Sequence, residues 1–252
     1  MNKYLLIIII LMFIWAFFIE PNLITIKRYK LPEIFNHQKI VFISDLHTKK
    51  WNKSRLQRIV KLINEQNPDL VLSAGDYIQG HTGNISMPIE EQAQELSKIK
   101  APFVTVLGNH DCWFDKYSVK NALEDVGLKV LINSNIKINN IYVAGVDDLQ
   151  TGLPDINTAL AETESPRILL SHTPDIYYDV KDDVDLILAG HVHGGQVRLP
   201  FYGALLVPSK YGNKFACGEF NETKNRMIVT KGLGTSILGV RFNAVPEIVI
   251  LE

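Results

Sequence analysis

The chain repeats one local pattern, in which a short apolar run is followed at once by Asp, Asn or His. Residues 39–44 are such a run and lead into Asp45-Leu46-His47, and residues 186–189 lead into Gly190-His191-Val192-His193. Apolar runs rich in β-branched residues are typical of strands that are covered on both faces. In open α/β sheets, ligand crevices form outside the carboxyl ends of the strands. The pattern therefore predicts a layered α/β fold whose polar residues gather at one edge of a sheet.

Helices are predicted between the early strands. Ser54 is a suitable N-cap, and Leu56, Ile59, Val60 and Ile63 then form one apolar stripe at helical spacing. Further helices are predicted over residues 88–100 and around residues 119–126. Strands alternate with helices in the first half of the chain and cluster in the second half. This order favours an α/β fold with a mixed sheet or with two packed sheets.

Eight polar residues end or follow the predicted strands. They are Asp45, His47, Asp76, Asn109, His110, His172, His191 and His193. A tetrahedral zinc site takes about four ligands, so this set is too large for one such ion. It suits two divalent metals that share a carboxylate, as in hydrolases with two metal ions. His37 and His81 fall outside this pattern and are predicted to be surface residues.

The overall composition limits the function classes. The formal net charge of −1 gives no sign of a nucleic-acid-binding surface. Only two cysteines occur, without the spacing of a zinc site and too few for a disulfide framework. A metal is therefore expected to bind to oxygen and nitrogen ligands. No feature of the sequence indicates an oligomeric state.

The N-terminus predicts a membrane anchor. Residues 4–19 are uninterrupted apolar and no small-residue cleavage pattern follows them, so we expect a single-pass anchor in the cell membrane. A cleaved signal peptide is the alternative. Lys27, Arg28 and Lys30 follow the run, whereas Lys3 precedes it, which slightly favours a cytoplasmic catalytic domain. The expected organisation is an anchor over residues 1–26, a connector over 27–37 and one domain over 38–252.

The polar motifs also occur in the order of a known family. Asp45-x-His47, Gly75-Asp76, Gly108-Asn109-His110-Asp111, His172 and Gly190-His191-x-His193 together resemble the signature of calcineurin-like metallophosphoesterases. The resemblance spans residues 45–193 and implies a four-layer α/β/β/α sandwich with a dinuclear metal site. It implies that Asp45, His47 and His193 bind one metal, that Asp76 bridges, and that Asn109, His172 and His191 bind the second. It makes His110 the proton donor.

A finer resemblance is to a membrane-associated bacterial subgroup. It rests on the apolar N-terminus with Glu20-Pro21-Asn22 and on the segments 194–200, 232–236 and 240–242. That subgroup includes phosphodiesterases and UDP-2,3-diacylglucosamine pyrophosphatases. The resemblance therefore implies a phosphoester substrate and extends the expected substrates to lipid-linked ones. Mn²⁺ is the favoured metal, and Fe, Zn²⁺ and Ni²⁺ accept similar ligands.

The expected mechanism is attack on phosphorus by a hydroxide that bridges the two metals. His110 would protonate the leaving oxygen and Asp111 would orient the His110 ring, although Asp111 could instead cap a loop.

Arg198 and Arg241 are candidates for binding a phosphate, and surface ion pairs are the alternative for both. The apolar segment 201–207 could contact lipid or form a buried hairpin. Alternative functions are a phosphomonoesterase or protein phosphatase on the same fold, or a non-catalytic scaffold.

Overall fold

The computed structural model describes residues 3–35 and 37–252. Among these residues the α-helices are α1 (Lys3–Ile14), α2 (Pro32–Phe35), α3 (Lys53–Glu65), α4 (Ile89–Leu96), α5 (Asn109–Glu124) and α6 (Ile156–Leu160). The strands are β1 (Thr25–Tyr29), β2 (Ile40–Ile43), β3 (Leu70–Ser73), β4 (Phe103–Thr105), β5 (Lys129–Val130), β6 (Ser134–Ile138), β7 (Ile141–Gly145), β8 (Arg167–Ser171), β9 (Leu186–Ala189), β10 (Arg198–Leu199), β11 (Gly203–Ala204), β12 (Gly218–Phe220), β13 (Met227–Val229) and β14 (Glu247–Leu251).

Two six-stranded mixed sheets form the centre of the molecule. The first has the order β1-β14-β2-β3-β4-β5, in which β2, β3, β4 and β5 are parallel neighbours. The second has the order β12-β13-β9-β8-β7-β6, in which β13, β9, β8 and β7 are parallel neighbours. The carboxyl ends of β2, β3, β8 and β9 carry the polar motifs.

The sheets pack face to face through a shared apolar core. Phe42, Leu72, Leu170 and Leu188 belong to this inter-sheet cluster and are fully buried. The outer face of the first sheet is covered by α3, α4 and α5. The outer face of the second sheet is covered by short elements, namely α6 and the 3₁₀ turns Pro174–Tyr178 and Gly212–Phe215. The predicted four-layer α/β/β/α sandwich is confirmed, with a fourth layer of short helices.

The helix predictions were right in position but not in extent. The predicted stripe of Leu56, Ile59, Val60 and Ile63 is the buried face of α3, which begins one residue before Ser54. Helix α4 is shorter than predicted, and α5 starts ten residues earlier than the apolar stripe suggested. Its early start follows from capping, because Asp111 pairs with the backbone of Gly108. That first turn is polar, so periodicity could not identify it.

The residues expected to form a connector, 27–37, contain secondary structure that packs on the domain. Strand β1 pairs in parallel with β14 and extends the first sheet. Leu31 and Phe35 then pack into the inter-sheet core and are almost completely buried. The polar sequence of β1 hides this role, since an edge strand needs few apolar side chains.

The N-terminal segment is helical and largely exposed. Over Lys3–Asn22 it is long and apolar enough to cross a membrane. Helix α1 passes into a π-turn over Trp15–Ile19 and a 3₁₀ turn over Glu20–Asn22. The end of this segment is fixed to the domain, because buried Glu20 accepts hydrogen bonds from the Trp15 indole and from the backbone N–H of Ala244, each at 2.6 Å.

Candidate metal centre

The predicted ligands converge at the carboxyl edge of the two sheets. All of them are buried, although they come from loops far apart in the sequence. Those with a left-handed backbone conformation (φ between 40° and 69°) are Asp45, His47, Asp76, His191 and His193. This conformation is unfavourable for residues other than glycine, and such strain clusters at functional sites where the surrounding fold enforces it.

Asp76 lies at the centre of the cluster. Its Oδ2 atom is 3.4 Å from Nε2 of His47 on one side and 3.3 Å from Nε2 of His172 on the other. Its Oδ1 atom accepts a hydrogen bond from the backbone N–H of His110 at 2.9 Å. One oxygen therefore faces both halves of the cluster, while the other fixes the orientation of the carboxylate.

Each half contains further ligand atoms close to Asp76. On the first side, Nε2 of His193 lies 3.2 Å from Nε2 of His47 and 3.5 Å from Oδ1 of Asp45. On the second side, Nε2 of His172 lies 3.0 Å from Oδ1 of Asn109 and 3.1 Å from Nδ1 of His191. The side chains thus lie in two groups, one on each side of Asp76.

Backbone carbonyls select the ring nitrogen that faces the cluster. Nδ1 of His47 lies 2.8 Å from the carbonyl oxygen of Ile78, and Nδ1 of His172 lies 2.7 Å from that of Ala74. A proton on Nδ1 satisfies each carbonyl and leaves the Nε2 lone pair directed inward. This arrangement is common for histidines that bind metals.

Burial controls the protonation of the cluster. It lowers the pKa of His47 to about 4 and that of His191 to about 3, and it lowers the pKa of His193 well below its ordinary value. Burial opposes ionisation of Asp76, but the charge and hydrogen bond of His172 outweigh it and hold the pKa of Asp76 below its usual range. Asp76 in turn raises the pKa of His172 to about 10 against the effect of burial.

The donor set fits divalent metal ions. The described residues contain three overlapping groups of His and Asp side chains. Within each group the ligand atoms lie within 4.8 Å of one another, and His47 and Asp76 each belong to two groups. Neutral imidazoles and ionised carboxylates are the forms that bind metals. A cation beside Asp76 would compete with a proton on His172 and would favour its loss. Nitrogen and oxygen donors suit Mn²⁺, Fe, Zn²⁺ and Ni²⁺ alike.

Two glycines leave room for these ligands. A Cβ atom on Gly108 would lie 2.2 Å from Oδ1 of Asp76 and 2.6 Å from Cε1 of His172. A Cβ atom on Gly190 would lie 2.0 Å from Oγ of Ser44 and 2.7 Å from Oδ2 of Asp45. The backbone passes directly against the ligand side chains at both positions, which explains why the motifs contain glycine there.

His110 lies beside the cluster, but Asp111 does not orient it. Nδ1 of His110 is 3.1 Å from the carbonyl oxygen of Gly80, and Nε2 is 3.4 Å from Oγ of Ser236. The Asp111 carboxylate instead accepts four backbone hydrogen bonds, from Gly108, Asp76, Tyr77 and Ile78. The hypothesis that Asp111 orients the His110 ring is thus corrected: Asp111 ties the loop that carries Asp76 to the start of α5.

The two candidate phosphate-binding arginines do not face the site cavity. Arg241 is completely buried, and its guanidinium donates to the carbonyl oxygens of Gly234, Ala244 and Lys231. Its Nη2 atom also lies 3.4 Å from Nδ1 of His193. Arg198 is half-buried and donates to the carbonyl oxygen of Gly194. Backbone carbonyls thus occupy the donors of Arg241, and Nη1 of Arg198 bonds to one carbonyl, so both arginines contact loops around the centre.

A cavity of about 460 Å³ opens onto the cluster. Its polar floor includes Asp76, Asn109, His110, His191 and His193, and its walls are Trp113, Val192, Val197, Leu205, Leu206, Pro208, Ile237, Leu238 and Val240. The segment 201–207 is not a buried hairpin, since Phe201 and Leu206 are exposed.

Several further residues at this cavity had no role assigned from the sequence. Gln150 lies 2.8 Å from Nε2 of His191, and the backbone of Ser236 is held by Gln79 and Gln196. His81, predicted to be a surface residue, is exposed but stacks on Trp113 at 4.2 Å and lines the cavity. Gln150 and His81 do not directly follow a predicted strand, so the pattern that found the ligands could not find them.

A buried His and Asp cluster at the carboxyl edge of a four-layer sandwich defines a metal-dependent phosphoester hydrolase. The chain belongs to the calcineurin-like phosphoesterase family, whose model matches residues 38–195. It is 33% identical to the uncharacterized metallophosphoesterase YkuE of Bacillus subtilis, over 94% of this chain and 87% of that protein. The match confirms the family that the motifs indicated.

Two further relatives carry more specific names. The chain is 30% identical to the phosphodiesterase YaeI of Escherichia coli, over 92% of this chain and 89% of that protein. It is 32% identical to a transmembrane protein with metallophosphoesterase domain of Danio rerio, over 87% of this chain and 54% of that protein.

Proposed function

We propose that the chain is a membrane-anchored phosphodiesterase or pyrophosphatase with a dinuclear metal centre. The observation that carries the proposal is the position of Asp76 Oδ2, which lies 3.4 Å from one inward-facing imidazole and 3.3 Å from another. A carboxylate in this position suits a ligand that is shared between two cations. The similarity to a phosphodiesterase supports the proposed reaction.

The side chains have separate roles in this proposal. Asp45, His47 and His193 hold one metal, Asn109, His172 and His191 hold the other, and Asp76 serves both. When bound, divalent cations lower the pKa of water and neutralise charge on phosphoryl oxygens. His110 stands at the cavity with Nδ1 turned to the Gly80 carbonyl, so its Nε2 atom is the one available to protonate a leaving oxygen.

The cavity favours a diester or a pyrophosphate over a monoester. Among the described residues that line it, none is lysine or arginine, and most of the wall is apolar. A phosphomonoester carries a second negative charge, and cationic side chains are the usual partners of such a group. A diester has one charge and two substituents, and an apolar wall can hold one of them.

The finer proposal concerns the membrane. Lys3–Asn22 would anchor the chain in the membrane. Residues 38–252 would form the catalytic domain, with the cytoplasmic side of the membrane as the favoured location. The substrate would be lipid-linked, such as UDP-2,3-diacylglucosamine. The similarity to a transmembrane relative supports the anchor, and the apolar cavity wall supports a lipid substrate.

Metal-dependent turnover by the full-length chain in detergent tests the proposal. Stripped protein is reloaded with Mn²⁺, Fe²⁺, Zn²⁺ or Ni²⁺ and assayed on bis-p-nitrophenyl phosphate, on p-nitrophenyl phosphate and on UDP-2,3-diacylglucosamine. We expect hydrolysis only with metal, and faster hydrolysis of the diester than of the monoester. A faster rate on the monoester would indicate a phosphomonoesterase, and no turnover of any ester would indicate a scaffold.

Two variants separate binding from chemistry. Asp76→Asn should lose bound metal, whereas His110→Ala should keep its metal and lose about 10²- to 10⁴-fold in rate, the usual contribution of a general acid. The matched control is His37→Ala, which changes an exposed histidine outside the cluster and should retain both properties. Metal content is measured by elemental analysis. Equal metal loss in the Asp76 and His110 variants would refute these roles.

A further inference from the structure

The apolar N-terminal helix contacts the segment 236–241, most of which lines the metal cavity. The carbonyl oxygen of Ala16 accepts a hydrogen bond from the backbone N–H of Arg241 at 2.9 Å. Ala16 stands three residues before Ile19, the last residue of the apolar run. At about 1.5 Å per helical residue, the contact lies about 4–5 Å inside the end of that run. The catalytic domain therefore contacts the helix within the apolar part of the helix.

Exposed apolar side chains surround the cavity mouth next to this contact. Leu205, Leu206, Ile237 and Leu238, the apolar rim, are 52%, 76%, 86% and 61% exposed and line the cavity together. Leu238 is three residues from Arg241, which places it within about 10 Å of the helix contact. Large exposed apolar groups in one patch mark an interaction site.

We infer that the apolar rim is embedded in the lipid bilayer, so that the metal cavity opens onto the headgroup layer and takes its phosphoester substrate from the membrane. This inference rests on the anchoring proposed above. The segment 241–244 bonds to Glu20 and to the Ala16 carbonyl, and it follows Ile237 and Leu238 of the rim closely in the chain. The helix is therefore fixed beside this part of the rim. A helix that crosses the bilayer thus brings the rim to the membrane surface.

The contact between the helix and the domain favours the membrane as the partner that covers the apolar rim. Trp15, the residue before Ala16, is half exposed and bonds to Glu20 at the end of the apolar run. Tryptophan at such a position is typical of the membrane interface. Leucine and isoleucine side chains gain free energy at this depth, whereas they would be unfavourable in water. A second copy of the chain is the competing occupant of the rim.

Spin labels on the full-length chain test the inference. The chain is reconstituted in nanodiscs of phosphatidylcholine and phosphatidylglycerol, with Cys112 and Cys217 changed to alanine. Single labels are placed by Leu206→Cys and Leu238→Cys. The matched control is Glu164→Cys, an exposed position beside β8 at the edge of the sheet opposite His172. The measurement is the ratio of collisions with oxygen, which enters lipid, to collisions with a polar nickel chelate.

The expected result is a ratio several-fold higher at positions 206 and 238 than at position 164. Equal ratios at all three positions, with the chain still resistant to carbonate extraction, would overturn this inference and leave the anchoring intact. Release of the chain by carbonate would overturn both. Shielding from both reagents that persists in detergent and weakens on dilution would identify a second copy and also overturn the inference.

A photoactivatable phospholipid with a diazirine in its acyl chain provides a measurement on the unmodified protein. We expect crosslinks in the peptides that contain residues 205–206 and 237–238. We expect none in the peptide that contains Glu164. Labelling confined to residues 3–22 would overturn the inference without any dependence on how the cysteine variants fold.

Discussion

Asp111→Asn distinguishes the observed role of this residue from the role in orienting His110. The two carboxylate oxygens accept four backbone N–H groups at 2.8–3.1 Å. In the variant, one oxygen becomes an NH₂ group that faces two of these donors in either orientation of the amide. A buried donor without a partner costs about 1–3 kcal/mol, so the substitution should lower the free energy of unfolding by about 2–6 kcal/mol.

This loss is large beside the stability of about 5–15 kcal/mol that is typical of a folded domain. Two of the donors belong to Asp76 and Tyr77, so the variant should also bind metal more weakly. Urea unfolding of the full-length chain in detergent and elemental analysis measure the two effects. Asp155→Asn is the matched control, because Asp155 is an exposed helix cap and asparagine caps equally well, so no change is expected there. An Asp111 variant with unchanged unfolding, full metal content and slower turnover would refute this reasoning and restore the orienting role.

Two other substitutions test the packing and the electrostatics of the site surroundings. Gly108→Ala should displace Asp76 and His172, since the new Cβ atom would lie 2.2 Å and 2.6 Å from them, and we expect metal loss and a rate at least about 10²-fold lower in a metal-supplemented assay. Asp147 is ion-paired with Lys116 at 2.6 Å, and although burial opposes its ionisation, this pair and backbone hydrogen bonds hold its pKa below the ordinary value. A depressed pKa stabilises the fold above the unfolded-state pKa of about 4 and ceases to do so as the pH falls through the folded value. Asp147→Asn should therefore be less stable than wild type above pH 5, with a difference that narrows below pH 4 in urea titrations; a difference independent of pH would contradict the ion pair.

The identity of the site could be predicted because its ligands follow a local rule. Each candidate ligand stands within four residues of the end of a buried strand or at the start of a helix, and parallel strands bring their carboxyl ends to one edge. The apolar runs that became β2, β3, β8 and β9 are continuous in the sequence, so local periodicity was enough to find them. The N-terminal apolar helix was identified in the same way.

The roles of Asp111, Arg241 and residues 25–35 depended on contacts between distant segments. Asp111 accepts from residues 33–35 positions away, and Arg241 reaches His193 across 48 positions. In the sequence each residue offers a charge that several partners could satisfy. The partner is chosen by the packing of the loops, which no local pattern describes.

The sequence by itself determined the residue types of the centre, the layered α/β class and the apolar helix, since each follows from hydrophobic periodicity and from motifs a few residues long. Only the tertiary structure decided which charged groups face the cavity and which support the backbone. The physical reason is burial: a buried charge must be paired, and the available partners are fixed only when the sheets and loops have packed. Burial also lowers the pKa of three imidazoles, those of His47, His191 and His193, and packing leaves the apolar rim exposed.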